Sequence, residues 1–251
     1  MKIERLPKKL SAEPLIDAVC EIRFTPSAPA SNILTGLLFK ELGGAENVRL
    51  EALPASQIPP EIRNSDPAFR STPLMRLVWG NISVGISDSS IVISVIGKYP
   101  GWENFKPKIL QVAQATVNSG ILSTIDRYSI KYVDIIQITQ PSPTGGLDLN
   151  IRVGNYQIAN EVALVRIEVP DTPFLHIIQT ITKAEAALAS GEKRSGSLVD
   201  VDTISISTPA NPAEFLDSLP NNLEDAHKKN KRIFFECLTE ETLNALGPEY
   251  E

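Results

Sequence analysis

The sequence predicts an α+β fold, mostly antiparallel sheet covered on one face by helices, on three observations. Short stretches of alternating apolar and polar residues recur in both halves of the chain, amphipathic helical stretches follow groups of them, and no strand-helix-strand crossover alternation is visible. Three strands and then a helix occur twice over. This suggests two related β-β-β-α halves, an N-terminal half at 1–140 and a C-terminal half at 147–251 packed against it, or one continuous domain. With 251 residues, 42% hydrophobic and 22% charged, the chain can bury a sizeable core.

Leu15 to Phe24 reads as the first strand, because Ile16, Ala18, Cys20, Ile22 and Phe24 alternate with Asp17, Glu21 and Arg23. Pro26 and Pro29 end it. Ser31 to Leu42 has helical spacing through Ile33, Leu37, Leu38 and Leu42, with Gly43-Gly44 as a stop. The five prolines between Leu53 and Pro73 predict a long surface loop. Ile82, Val84 and Ile86, a turn at Asp88-Ser89-Ser90, and Ile91, Ile93 and Val95 predict a hairpin within Leu74 to Ile96.

Trp102 to Val117 changes to the helical period, with Trp102, Phe105, Ile109, Val112, Ala113 and Thr116 on one stripe and Asn118-Ser119-Gly120 closing it. Tyr128 to Ile138 is the next strand, and Pro141 to Gly146 is a linker of turn residues that marks a boundary. Further strands are expected at Val162 to Val169, Phe174 to Thr182 and Leu198 to Ser207. Asn211-Pro212-Ala213-Glu214 has the order of a helix start, Asn as cap and Pro at the first helical position, and Pro220 is expected to restart that helix. Thr239-Glu240-Glu241-Thr242 opens a last short helix that ends at Gly247.

The net charge of -6 disfavours a broad basic footprint for nucleic acid, whose backbone is bound by displacing counterions with Lys and Arg. Nothing resembles a signal peptide after the basic N-terminus, and no apolar run reaches the roughly 18–20 residues of a membrane span. Cys20 and Cys237 form no disulfide framework and read as buried free thiols. A cytoplasmic protein is expected, with no cofactor.

Candidate chemistry is sparse. Neither phosphate-binding glycine motif occurs, and Gly145-Gly146, Gly191 and Gly196 read as turn glycines. No nucleophile elbow is present, so no catalytic residue is assigned. His176 sits within a strand, and His227 follows Glu224 by three residues on a helix, a spacing that shares a face but lacks a second ligand pair. Asp200 and Asp202 point the same way along a strand and could jointly hold Mg²⁺, with Glu168 as a third ligand and Arg127 or Lys131 neutralising phosphate. The ordinary polar face of a sheet is the simpler account of that pair.

The basic run Lys228-Lys229-Asn230-Lys231-Arg232 is flanked by acids and reads as a solvated helix face. Tyr99, Trp102 and Phe105 are the densest aromatic feature, suited to an interface or to a core anchor at a helix entry.

As a set, Glu13-Pro-Leu-Ile-Asp-Ala-Val19, Tyr99-Pro-Gly-Trp-Glu-Asn-Phe-Lys106, Asp126-Arg-Tyr-Ser-Ile-Lys-Tyr-Val133, Leu198-Val-Asp-Val-Asp202 and Phe234-Phe-Glu-Cys-Leu-Thr-Glu-Glu241 resemble a sporadically distributed family of uncharacterised prokaryotic proteins. The resemblance spans nearly the whole chain. In that family the central strand more often reads Arg-x-Gly-Leu-Arg-Tyr-x-Asn; here Arg127 and Tyr132 match, Lys131 replaces Arg and Asp134 stands near the Asn. The resemblance implies an accessory protein of mobile or defence-associated gene cassettes and no reaction.

The leading expectation is a non-enzymatic binding or interaction protein with a protein partner or a homo-oligomer, contacted through Tyr99, Trp102, Phe105, Arg127 and Lys131 and the proline-rich loop. The first alternative is a metal-dependent enzyme acting on nucleic acid or nucleotide through Asp200 and Asp202. The second is a small-ligand-binding protein with a cavity lined by Tyr128, Tyr132 and Arg166.

Overall fold

Alternation along the strands becomes two faces of a nine-stranded antiparallel sheet. The computed structural model describes residues 5–137, 144–188 and 191–250. Its elements begin with β1 (Lys9–Leu10), β2 (Leu15–Pro26), α1 (Ala30–Glu41), β3 (Val48–Ala52), α2 (Pro60–Ser65) and α3 (Pro67–Arg70). They continue with β4 (Met75–Trp79), β5 (Ile82–Ile86), β6 (Ser90–Val95), α4 (Trp102–Asn118) and β7 (Leu122–Ile136). The remainder is β8 (Arg152–Val153), β9 (Tyr156–Gln157), β10 (Leu164–Asp171), β11 (Phe174–Ala187), β12 (Lys193–Ser205), α5 (Pro212–Glu236), α6 (Glu240–Ala245) and β13 (Pro248–Glu249). Helix makes up 31% and strand 40%, which is the expected α+β class.

The sheet runs in the order β10-β11-β12-β7-β2-β6-β5-β4-β3. The series β2, β4, β5, β6, α4 and the series β7, β10, β11, β12, α5 therefore repeat one pattern, in which the fourth strand returns beside the first. The expected sets are β2, β5 and β6 before α4 and β10, β11 and β12 before α5; each series has one strand more, β4 in the first and β7 in the second.

The chain divides into two compact units, and each takes segments from both expected halves. One comprises Met1–Ala18, Lys131–Ile204 and Asp225–Glu251; the other comprises Val19–Ile130 and Ser205–Glu224. The division thus interleaves the halves 1–140 and 147–251 instead of separating them. Ile138, the end of the expected strand, and residues 141–143 of the expected linker lie outside the described residues, while Thr144 to Gly146 form a turn.

In the second unit, Cys20, Ile22 and Phe24 of β2 are fully buried, as are Val84, Ile86, Ile91 and Ile93 of the hairpin and Phe105, Ile109 and Val112 of α4. Each such side chain contributes about 1.5–3 kcal/mol by leaving water. α1 packs on α4, β4 and β5. It does so through Leu34 and Leu38, leaving Ile33 exposed, so the inward stripe is turned from the expected one.

The stretch from Leu53 to Pro73 is not an irregular loop: it carries a 3-10 turn at Pro54–Gln57 and the short helices α2 and α3. Proline at the first helical positions makes this compatible, because its missing N–H would be unpaired there anyway. β3 and the β8–β9 hairpin, too short for a periodic signal, were not foreseen in the sequence.

In the first unit, Ile136, Leu147, Val199, Val201, Phe234, Phe235 and Leu238 form a core cluster with Leu243 of α6 and Leu246 just after it. Asn211 Oδ1 accepts from the backbone N–H of Ala213 (2.8 Å) and Glu214 (3.2 Å), capping α5 as expected. Pro220 does not restart the helix; α5 runs through it for 25 residues. Phe215, Leu219 and Leu223 are fully buried on both sides of the proline, and their burial outweighs the lost backbone bond. Gly196 is no turn residue but lies inside β12, where a Cβ would collide with the carbonyl oxygen of Ile136.

Candidate functional site

The aromatic corner at the start of α4 is split between core and surface. Phe105 is fully buried, so it is a core anchor and is not available to a partner. Tyr99 meets it edge-on with ring centroids 6.0 Å apart. Trp102 is half-buried, and its Nε1–H donates to Glu224 Oε2 at 2.9 Å, an oxygen that Lys106 Nζ also reaches at 3.0 Å. Of the three aromatic residues among the five expected contacts, only Tyr99 and Trp102 keep exposed area.

The polar face of the sheet is a set of ion pairs. In the second unit, Arg127 and Arg23 both approach Glu21 Oε2, at 3.3 and 2.9 Å. In the first unit, Lys131 Nζ pairs with Asp200 Oδ2 at 2.8 Å, and Asp17 lies close enough for its carboxyl to feel both charges. Burial raises the Asp17 pKa above the ordinary carboxylate value, against the opposing pull of the Ala18 N–H and Lys131. Asp200 and Asp202 do share a strand face, but no three His, Cys, Asp or Glu side chains converge among the described residues. Glu168 pairs with Arg166 at 2.8 Å on β10. Asp200 and Asp202 are both partly buried on this face, and Asp200 is engaged by Lys131.

Tyr128 and Tyr132 are buried beneath α5. Tyr132 Oη lies 3.0 Å from His227 Nδ1, with the rings edge-on at 70°, so His227 is part of a packed pair, and among the described residues no ligand set forms around it. Arg166 is exposed on β10 and joins neither tyrosine in a cavity wall.

A polar relay in the first unit has no separate sequence signal. Asp171 Oδ2 lies 3.4 Å from His176 Nε2, and His176 Nδ1 lies 3.0 Å from Thr203 Oγ1. Asn230 Nδ2 donates to the same hydroxyl at 3.1 Å and to the Val201 carbonyl at 2.8 Å, while Lys229 Nζ pairs with Asp171 at 2.5 Å. Carboxylate, imidazole and hydroxyl in series resemble a nucleophile-activating set. Thr203 has 0% exposure, however, so no substrate can reach its oxygen, and the relay satisfies polar groups that would be costly to bury alone.

The basic run on α5 is split: Lys228 and Arg232 are exposed, as expected of a solvated face, while Lys229 and Asn230 join the network. Asn230 is fully buried, Lys229 holds Asp171, and Lys231 Nζ donates to the Lys8 carbonyl at 3.3 Å. Burial lowers the Lys231 pKa. Cys20 is fully buried, and burial raises the Cys237 thiol to about 11, so neither is an activated nucleophile.

One sizeable cleft lies in the second unit, with a volume of about 760 Å³. Ser56, Gln57, Ile58, Pro59 and Pro60 of the proline-rich stretch form one wall, and Pro29, Ser31 and Asn32 at the start of α1 form another. Leu74, Met75 and Asp88 lie at the ends of β4 and the β5–β6 turn. Asp88 is held from both sides: Ser31 Oγ donates to Oδ1 at 2.6 Å and Arg63 Nη2 approaches Oδ2 at 3.3 Å. Arg63 also donates to the Ile58 carbonyl at 2.8 Å, which fixes the wall to the floor. The proline count predicted this stretch as surface; the pairing of Arg63 with Asp88, 25 residues apart, carried no signal in the sequence.

No family model and no curated protein matches the sequence. None of the helices among the described residues is long and apolar enough to cross a membrane.

Proposed function

We propose that this protein is a non-enzymatic binding protein that seats an extended segment of a protein partner in the cleft beneath the proline-rich stretch. The observation that carries this reading is charge compensation. Arg63 and Asp88, the charged residues of the lining, pair with each other, so the cleft presents no net charge to attract a phosphate or a carboxylate. What remains is Pro29, Pro59, Ile58, Leu74 and Met75 with the amides of Asn32 and Gln57, a mixture of apolar surface and amide donors and acceptors suited to polypeptide. Tyr99 and Trp102 keep the exposure needed for a secondary contact.

The same reading places the protein in the cytosol, consistent with its two free thiols, and among accessory proteins of the sporadically distributed prokaryotic family it resembles. A metal-dependent enzyme draws no support from the described residues, because Asp200 is engaged by Lys131 and lacks a converging ligand set.

The test is a photo-crosslinking amino acid placed at Gln57, with one at exposed Glu241 as control, in the full chain at native expression level. Adducts with one protein at position 57 and none at 241 are expected. A nucleotide or metabolite recovered with the protein, without such an adduct, overturns the reading.

A further inference from the structure

The open edge of the sheet carries an inference independent of the cleft. β10 is the terminal strand, and seven of its eight residues are exposed although four of them, with Val162 just before, are apolar or proline. Val162 is 71%, Leu164 63% and Ile167 48% exposed. Edge strands are normally blunted by charges, proline, bulges or covering elements; β10 has Pro170 and Asp171 near its end, while its central charges, Arg166 and Glu168, are opposite in sign and so complement a second copy.

Its backbone has a defined outward set. The Ala163 carbonyl accepts from Thr182 N–H at 3.1 Å, in register with the β10–β11 ladder. Antiparallel ladders alternate, so residues 165, 167 and 169 also bond to β11, and Leu164, Arg166, Glu168 and Pro170 direct their backbone groups to the open side. Pro170, without an N–H, occupies an outward position and removes nothing from the β11 ladder.

We propose that two copies of this chain pair through β10, antiparallel about a two-fold axis at Ile167, joining their sheets edge to edge. In that register Arg166 stands opposite Glu168 of the second copy, twice by symmetry, with Ile167 against Ile167 and Val165 against Val169. Only outward residues can form the hydrogen-bonded pairs, and Arg166 and Glu168 are both outward. Moving the axis one residue either way sets Arg166 against Arg166 or Glu168 against Glu168, which cross-strand pairing disfavours. The Arg166–Glu168 pair within one strand, 2.8 Å, is half-exposed and can exchange partners without leaving a charge alone. A self-complementary patch of this kind is what an isologous dimer requires.

The test is native mass spectrometry and sedimentation of the full chain, with R166E, E168R and the double variant R166E/E168R. A wild-type dimer is expected, weakened about tenfold or more in each single variant and restored in the double. An equimolar mixture of the two single variants should form a heterodimer, since every cross-strand pair is then opposite in charge. Circular dichroism and thermal unfolding establish that each variant is folded. A wild type that stays monomeric at 100 µM, on the order of an ordinary micromolar affinity limit, overturns the proposal, as does a dimer indifferent to both charge reversals. Association with a different protein strand at β10, in place of self-association, also overturns it.

Discussion

Trp102 donates its indole N–H to Glu224 at 2.9 Å, so the first residue of α4 is tied to α5 within the second unit. Lys106, one turn later, shares the same carboxylate oxygen at 3.0 Å. Trp102→Phe keeps the ring and loses the donor. It should cost about 1 kcal/mol, reduced from the full value of a charge-assisted bond because Glu224 is partly exposed, and lower Tm by about 2–4 °C. In combination with Glu224→Ala, which removes the acceptor, the effects should be less than additive, since each change removes one partner of the same bond. Full additivity in a thermal-denaturation double-mutant cycle refutes the bond's role.

Asp134 is buried in β7, and desolvation, assisted by Glu13 and Asp200, raises its carboxyl well above the ordinary carboxylate range. The folded chain therefore holds a proton there that the unfolded chain releases near pH 4. Stability is present below that unfolded value and is lost as pH rises through the folded pKa. Asp134→Asn cannot ionise. It should raise Tm by about 2 °C or more at pH 8 and leave it nearly unchanged at pH 4. An equal effect at both pH values would show that ionisation is not the cause.

His176 behaves with the opposite sign. Burial lowers its imidazole below the usual 6.5, with Asp171 opposing. The unfolded chain then binds the extra proton, so the contribution to stability is present above pH 6.5 and is lost as pH falls toward the folded pKa. With only two histidines in the chain, proton NMR can follow each one directly. His176 should titrate below 6.5, and a midpoint at or above that value contradicts the burial argument.

Both thiols should resist modification. Cys20 has no exposed area, and burial beside Glu236 and Asp148 raises Cys237 to about 11. At pH 8 a colorimetric disulfide reagent should react with neither in the native protein and with both in denaturant. Rapid reaction of one thiol in the native state would identify it as accessible and ionised.

The strands and helices with a clear period were legible in the sequence. β2, β5, β6, α4 and the Asn211 cap of α5 appear where alternation, helical spacing and turn residues place them. Short elements such as β3 and β8–β9 have too few residues to establish a period. Pro220 misled because local backbone chemistry favours a break, while the burial of Phe215, Leu219 and Leu223 is known only once the helix has something to pack on. The candidate site was half legible: prolines marked the wall of the cleft, but Arg63 with Asp88 and Asp171 with His176 and Thr203 are pairings across the fold.

By itself the sequence determined the α+β class, the strands that precede α4 and α5, and which face of β2 and β7 is buried, because these depend on residues a few positions apart. Only the tertiary structure decided that Phe105 is core while Trp102 reaches a carboxylate, that Asn230 within the basic run of α5 is buried, and that β10 is left as an edge. Those outcomes depend on which distant segment arrives beside each residue, and strand order in a sheet is set by packing and hydrogen bonding among segments that share no local pattern.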